Sequence, residues 1–394
     1  MLETLSPAQP DPILSLTVEF RQDPRESKLD LGIGVYRNSH GETPIMEAVK
    51  TAQTILADTQ TTKSYVGLAG NEGFNQAMTA LLLEGTDGFN RVSTIQTPGA
   101  SGALRMLADL MRVANPDTTV WISDPSYVNH RPVMEAAGLK VRHYPYFNRD
   151  TKLVDLDAML EALKGAGKND VVLLHGCCHN PTGADVPFEA WKRVAELASK
   201  NGFTPFVDIA YQGFGDGLEA DARGLRHLAD NLEEVLVATS CSKSFGLYRE
   251  RTGAAMVIGA SAEKALNAKG KLLNLARSTY TMPPDHGAAI VEMILGTPAL
   301  RNSWEAEVAG MNQRIVSLRQ ALAKALRDRI GDNRFDFIEK HKGMFSVVGF
   351  STEQVKKLKD EHAIYAVGDS RINIAGLSET RIDYLADAMV MVSR

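Results

Sequence analysis

Cysteine is scarce in this chain. Three thiols among 394 residues cannot build a disulfide framework, and a reducing, cytoplasmic setting is the expectation. Neither C-x-x-C nor H-E-x-x-H occurs, so the common zinc signatures are excluded and no metal is expected. The glycine fingerprints G-x-G-x-x-G and G-x-x-x-x-G-K-[ST] are missing too, which counts against a Rossmann dehydrogenase and against a nucleoside triphosphate. No apolar run approaches the ~20 residues that span a bilayer. A net charge of −5 leaves no basic footprint for nucleic acid or an anionic membrane. The opening string "MLETLSPAQPDP" has three prolines and no basic-then-apolar order, so no secretory signal is expected there.

What is present is ordinary globular material, 44% hydrophobic and 23% charged, enough for a large core and two domains. Apolar runs alternate with helical periodicity from about residue 43 to 310. The runs "RVSTIQ", "TTVWIS", "LKVRHYPY", "DVVLLHG", "FTPFVDI", "VLVATS" and "GAAMVIG" read as strands. Between them, Leu104, Leu107, Ala108 and Met111 follow the i, i+3, i+4, i+7 stripe of a helix with one buried face. This alternation predicts an α/β fold, a mostly parallel seven-stranded sheet flanked by helices. A long helix is expected near 298–328. Beyond it, "FDFIEKHKGMFSVVGF" and "RINIAGL" read as strands beside helices at about 351–361 and 377–392. The expected division is an arm at 1–11, a small α+β domain from 12–42 with 311–394, and a large domain from 43–310.

Polar clusters close five of the seven runs: "TPGASGALR", "DPSYVNH", "HGCCHNPTG", "DIAYQGF" and "SCSKSFGLYRER". In a parallel sheet these converge on one crevice at the carboxyl edge. Asp208 follows the run "FTPFV", where a carboxylate needs a cationic partner. Taken alone it reads equally well as a helix cap. Tyr211 stands three residues on, and Lys243 follows one βα unit later. A lysine, an aspartate and a tyrosine in one crevice suit pyridoxal phosphate: the amine for its aldehyde, the carboxylate for its ring nitrogen, the phenol for its ring oxygen. Ser101 and Gly102 at a helix start, with Ser240, Ser242 and Arg251, offer donors to a phosphate.

The strings "LGIGVY", "TTKSYVGLAG", "TPGASGALR", "HGCCHNPTG", "AYQGF", "SKSFGLYRERTGA" and "GMFS" together resemble the class I aspartate/aromatic-amino-acid aminotransferases. These are homodimeric fold-type I pyridoxal-phosphate enzymes, and the likeness runs from about residue 11 to the end. The resemblance implies that Lys243 bonds the cofactor aldehyde and later carries the substrate's α-proton, with its pKa depressed by burial and neighbouring cations. Asp208 would pair with the pyridine nitrogen, and Tyr211 and Asn180 would bind the ring oxygen. Ser101, Gly102, Ser240, Ser242 and Arg251 would hold the phosphate. Tyr65 would reach the phosphate in the neighbouring subunit. Arg371 and the backbone at Gly34 would take the substrate α-carboxylate, and the partner's copy of Arg277 the distal one. His175 would support the site from behind. Tyr127 stands where the family usually has a tryptophan stacked on the ring, a smaller π-face. The resemblance further implies an N-terminal arm lying on the partner and a small domain that closes over the substrate, with glycines near 32–34 in the moving segment.

Arg277 favours dicarboxylates and so the glutamate/2-oxoglutarate pair. Met282 and Ser101 lean toward an enzyme that also takes phenylalanine and tyrosine, whereas Val35 and Thr43 lean toward aspartate. The reading is a ping-pong aminotransferase for aromatic amino acids and aspartate. A strict aspartate aminotransferase is the alternative. A β-lyase or decarboxylase on the same fold and a non-catalytic ligand sensor are remoter ones.

Overall fold

The computed structural model describes residues 1–7 and 12–393. The expected arm at 1–11 therefore falls partly outside the described residues. Its described part is a short exposed 3-10 turn at Leu2–Thr4. After the helix Pro12–Gln22 comes a two-residue strand β1 (Leu29–Asp30). The large sheet follows as β2 (Val92–Pro98), β3 (Thr119–Asp124), β4 (Lys140–Pro145), β5 (Asp170–His175), β6 (Thr204–Ile209), β7 (Val235–Ser240) and β8 (Thr252–Ile258). Each lies on one of the seven apolar runs.

Their order across the sheet is β2-β8-β7-β6-β5-β3-β4. Strand β8 runs antiparallel to both its neighbours, and the remaining pairings are parallel. Sheet and flanking helices thus match the expected fold class. The strands read as unbroken apolar runs because both faces are covered. Val171 and Leu173 join Leu104, Leu107 and Leu272 in a layer under the helices Gly99–Ala114 and Ala262–Thr279. Their neighbours Val172 and Leu174 point the other way, into the main core with Trp191, Leu225 and Ile290.

The helix Pro298–Ile330 opens with a proline at its first turn and stops at Gly331, whose φ of 83° ends it in the left-handed region. It passes straight through residue 310. Beyond it lie β9 (Phe345–Val347), β10 (Ile364–Tyr365) and β11 (Arg371–Asn373). Strand β10 pairs with β1, and β9 pairs with β11, so the segment near residue 30 does join this C-terminal part.

Two expected strands are shorter than their apolar character implied. Phe337–Lys340 is a helical turn rather than strand, and the chain is extended only from Phe345 to Val347. Buried Arg319 explains the break. Its guanidinium donates to the carbonyls of Ile338, Lys342, Gly343 and Phe345 and to Ser346 Oγ. Those carbonyls turn inward on one cation instead of forming a ladder. In "RINIAGL" the strand likewise ends at Asn373, whose side-chain amide donates to the carbonyls of Ile33 and Val35.

Candidate active site

The carboxyl ends of β2, β5, β6 and β7 open on a crevice of about 150 Å³. Ser101, Tyr127, Asn180, Asp208, Tyr211, Ser240, Ser242, Lys243 and Arg251 line it, together with Ala100, Leu104, His175 and Ala210. Distant stretches of chain thus meet at one edge of the sheet, as parallel strands bring them to.

At one end stands the start of helix Gly99–Ala114. No side chain caps it, so its first N–H groups and the positive end of its dipole face outward. The Arg251 guanidinium lies over this turn: a β-carbon placed on Gly99 would be 2.4 Å from its Nη2. Gly99 also has a φ of 66°, so glycine is needed there for both space and conformation. Arg251 itself sits at φ 53°, with Nη1 donating to the Tyr248 carbonyl at 3.1 Å. Gly102 shares the helix turn but packs on Pro98 and is not a lining residue.

At the other end Asp208, buried on β6, uses only half of its carboxylate. Oδ2 is 2.9 Å from His130 Nε2, and His130 Nδ1 is 2.9 Å from Ser126 Oγ. Oδ1 is buried and has no partner among the described residues. A bare, dry carboxylate oxygen is costly unless a ligand donates to it. His130 is the residue the sequence reading missed. It is the last letter of "DPSYVNH" and completely buried. One histidine at a strand end carries too little signal to separate from a packed core histidine.

Lys243 lies between the two ends, its Nζ 5.1 Å from the centre of the Tyr211 ring. Burial, against the pull of Asp208 and with the help of Arg251 and Arg371, lowers its pKa to about 8. Burial also raises the Tyr211 phenol above its usual value and holds His175 at about 3, hence neutral. Asn180 Nδ2 donates to Tyr211 Oη at 3.3 Å, and Arg371 Nη1 donates to Asn180 Oδ1 at 3.3 Å. Arg371 Nη2 reaches the Gly32 carbonyl at 2.9 Å, and the guanidinium lies 4.4 Å from the centre of the Phe345 ring. A β-carbon on Gly34 would come within 2.9 Å of that same ring. Neither Arg371 nor Gly34 is a lining residue: Arg371 touches the crevice through Asn180, and Gly34 packs on Phe345 beside it.

Tyr65 and Arg277 lie elsewhere. Tyr65 is 89% exposed, and Arg277 is exposed in the last turn of its helix. Neither lines the crevice of its own chain. Tyr127 does, packed edge-on against His130 with ring centres 5.3 Å apart.

The family model for aminotransferase class I and II matches residues 26–389. This chain belongs to that family. The aminotransferase is 49% identical over 392 residues, all of both chains, to an aromatic-amino-acid aminotransferase of Paracoccus denitrificans. It is 43% identical, again over the full length of both, to an aspartate aminotransferase of Escherichia coli. A solved aromatic-amino-acid aminotransferase from Burkholderia pseudomallei, covalently bound to pyridoxal phosphate, superposes with a TM-score of 0.98 at 39% identity and covers all of both chains.

One consequence for this aminotransferase is a pH dependence. An amine attacks an aldehyde only in its neutral form, so if Lys243 takes the cofactor aldehyde its protonation sets the rate. Below about pH 8 the neutral fraction falls tenfold per pH unit, and above it the fraction levels off. Uptake of pyridoxal phosphate by the apoenzyme, trapped with borohydride at successive pH values, is expected to rise and flatten around pH 8. A midpoint near 10.5, that of a solvated lysine, contradicts this.

Proposed function

We propose that this aminotransferase moves the amino group of phenylalanine, tyrosine and aspartate to 2-oxoglutarate in a ping-pong reaction using pyridoxal 5'-phosphate. One observation carries the cofactor reading: buried Asp208 Oδ1 is left without a partner on a residue that lines the same crevice as Lys243 and Arg251. These residues fit the group. Asp208 would hold its ring nitrogen, Tyr211 and Asn180 its ring oxygen, and Ser101, Ser240, Ser242, Arg251 and the helix start at Gly102 its phosphate. Tyr127 would lie on its ring face. When bound, the group supplies an electron sink for the charge left at the substrate's α-carbon.

The chain's own residues do the rest. Arg371 would grip the α-carboxylate in a two-pronged geometry that lysine does not reproduce, with the backbone at Gly34 beside it. That orients the α-C–H bond toward Lys243, whose depressed pKa suits it to take a proton near neutrality and return it. Leu104 and Ala210 help keep the crevice dry, strengthening each charge interaction inside.

We further propose a homodimer. Exposed Tyr65 and Arg277 support it, since each would serve the partner's crevice, on the phosphate and on a distal carboxylate respectively. Residues 12–42 with 311–394 would act as a small domain against a large one at 43–310. Three buried free thiols suit a cytoplasmic setting. Among the described residues no helix is long and apolar enough to cross a membrane.

The breadth of substrate rests on Met282. Its Sδ accepts a hydrogen bond from the Val66 amide at 3.2 Å, so this adaptable thioether rests against the segment that carries Tyr65. With 2-oxoglutarate as acceptor, all three donors are expected to give glutamate. Glutamate from aspartate alone makes the enzyme a strict aspartate aminotransferase. Keto acid formed without any acceptor over many turnovers, beyond the one equivalent per site that the first half-reaction releases, makes it a lyase.

A further inference from the structure

The opposite edge of the large sheet carries a second opening, of about 420 Å³, that no part of the reaction uses. It lies at the amino ends of β5, β6 and β7, beside Asp170, Thr204 and Glu234, and between the helices Gly99–Ala114 and Ala262–Thr279. Its floor is core. Leu110, Met111, Val171, Leu236 and Val257 belong to the apolar layer under those helices, yet each is between 5% and 8% exposed. A volume of this size falls in the roughly 300–1,000 Å³ range of small-molecule sites.

The rim has a different chemistry. Lys264, Ala268 and Lys271 recur at i, i+4 and i+7 along one face of helix Ala262–Thr279. Alanine between the two lysines leaves the gap open where a leucine would close it. Lys168 adds a third ammonium from the loop before β5. None of these three lysines is in an ion pair among the described residues, although Lys269, on the same helix, pairs with Glu72 at 3.2 Å. Two acids also line the opening. The Asp170 carboxylate accepts the Gly167 amide at 2.8 Å and keeps its charge, so two anions stand against three cations and the rim is positive by one.

We propose that this notch binds a small amphiphilic carboxylate, an apolar body on the Leu110–Val257 floor with its anionic head among Lys168, Lys264 and Lys271. An apolar floor alone would take any greasy molecule. The three unpaired ammonium groups select a negative head.

The test is calorimetric titration of the holoenzyme with sodium decanoate, with succinate at saturation to occupy Arg371. One saturable site per chain is expected. Decanol, which lacks the charge, should bind roughly tenfold or more weakly. The K168Q/K264Q/K271Q variant, altered only at exposed residues, should lose roughly as much. Ala268→Trp, whose indole fills the gap, should abolish binding, while both variants keep full transaminase turnover as proof of folding. The proposal is overturned if decanoate gives no saturable heat. It is equally overturned if Ala268→Trp binds like the parent, or if the lysine variant and decanol show no loss. Those results would make the lysine stems ordinary cover for apolar surface.

Discussion

Lys243→Ala is expected to lower turnover by roughly 10⁴-fold or more, the upper end of what one positioned base contributes, because the same amine is also the nucleophile. The fold should survive. Lys243 is half-buried, and desolvation already pulls its pKa down to about 8, so removing the amine relieves the cost of desolvating a charge. Two measurements separate chemistry from folding. Steady-state rates with 2-oxoglutarate report the loss. Mass spectrometry after borohydride should find the peptide containing position 243 carrying the cofactor in the parent and unmodified in the variant. A variant with parental turnover would remove Lys243 from the mechanism and with it the reading of the whole crevice.

Asp208→Asn should be the next largest loss, roughly 10²–10³-fold in kcat, the scale seen when one preorganised electrostatic partner is removed. The substitution keeps shape and leaves an oxygen or amide to meet His130 at the 2.9 Å contact. What disappears is the negative charge that would hold the ring nitrogen. Cofactor should therefore also leave faster on dialysis, and KM for the amino acid should change little, since Arg371 and Gly34 stay intact. Parental kcat together with parental cofactor retention would show that the orphaned Asp208 oxygen has another purpose.

Much of this was legible before any coordinates, for a physical reason. A buried parallel strand must be apolar along its whole length, so a polar cluster directly after it marks the carboxyl edge. That rule alone locates Ser101, Asn180, Asp208, Ser240 and Lys243, and the structure brings all five to one crevice. The family resemblance then accounts for Arg371, in "DSRINIAG", which no strand-end rule points to. Other features left no trace in the letters. Arg319 sits in an amphipathic helix where an arginine normally means solvent, yet it is buried and gathers four backbone carbonyls. Because those carbonyls are claimed by a side chain, the apolar stretch around 337–347 looks like strand but is mostly not. His130 was overlooked since its meaning lies in contact with Asp208, 78 residues away. The roles proposed for Tyr65 and Arg277 would need a second chain, and their exposed positions leave each of them open to one.

The helix Pro298–Ile330 has a mechanical implication. At ~1.5 Å per residue, its 33 residues make a rod roughly 50 Å long that would belong to both of the proposed domains. A stiff shared beam would leave few degrees of freedom: the two domains would pivot about it rather than drift apart. The thin strap from Gly32 to Val35, clipped to β11 by Arg371 and Asn373, is then the natural place for the give. In the proposed mechanism a carboxylate that grips Arg371 would also pull on that strap through the Gly32 carbonyl, so seizing it and swinging the beam would become one act.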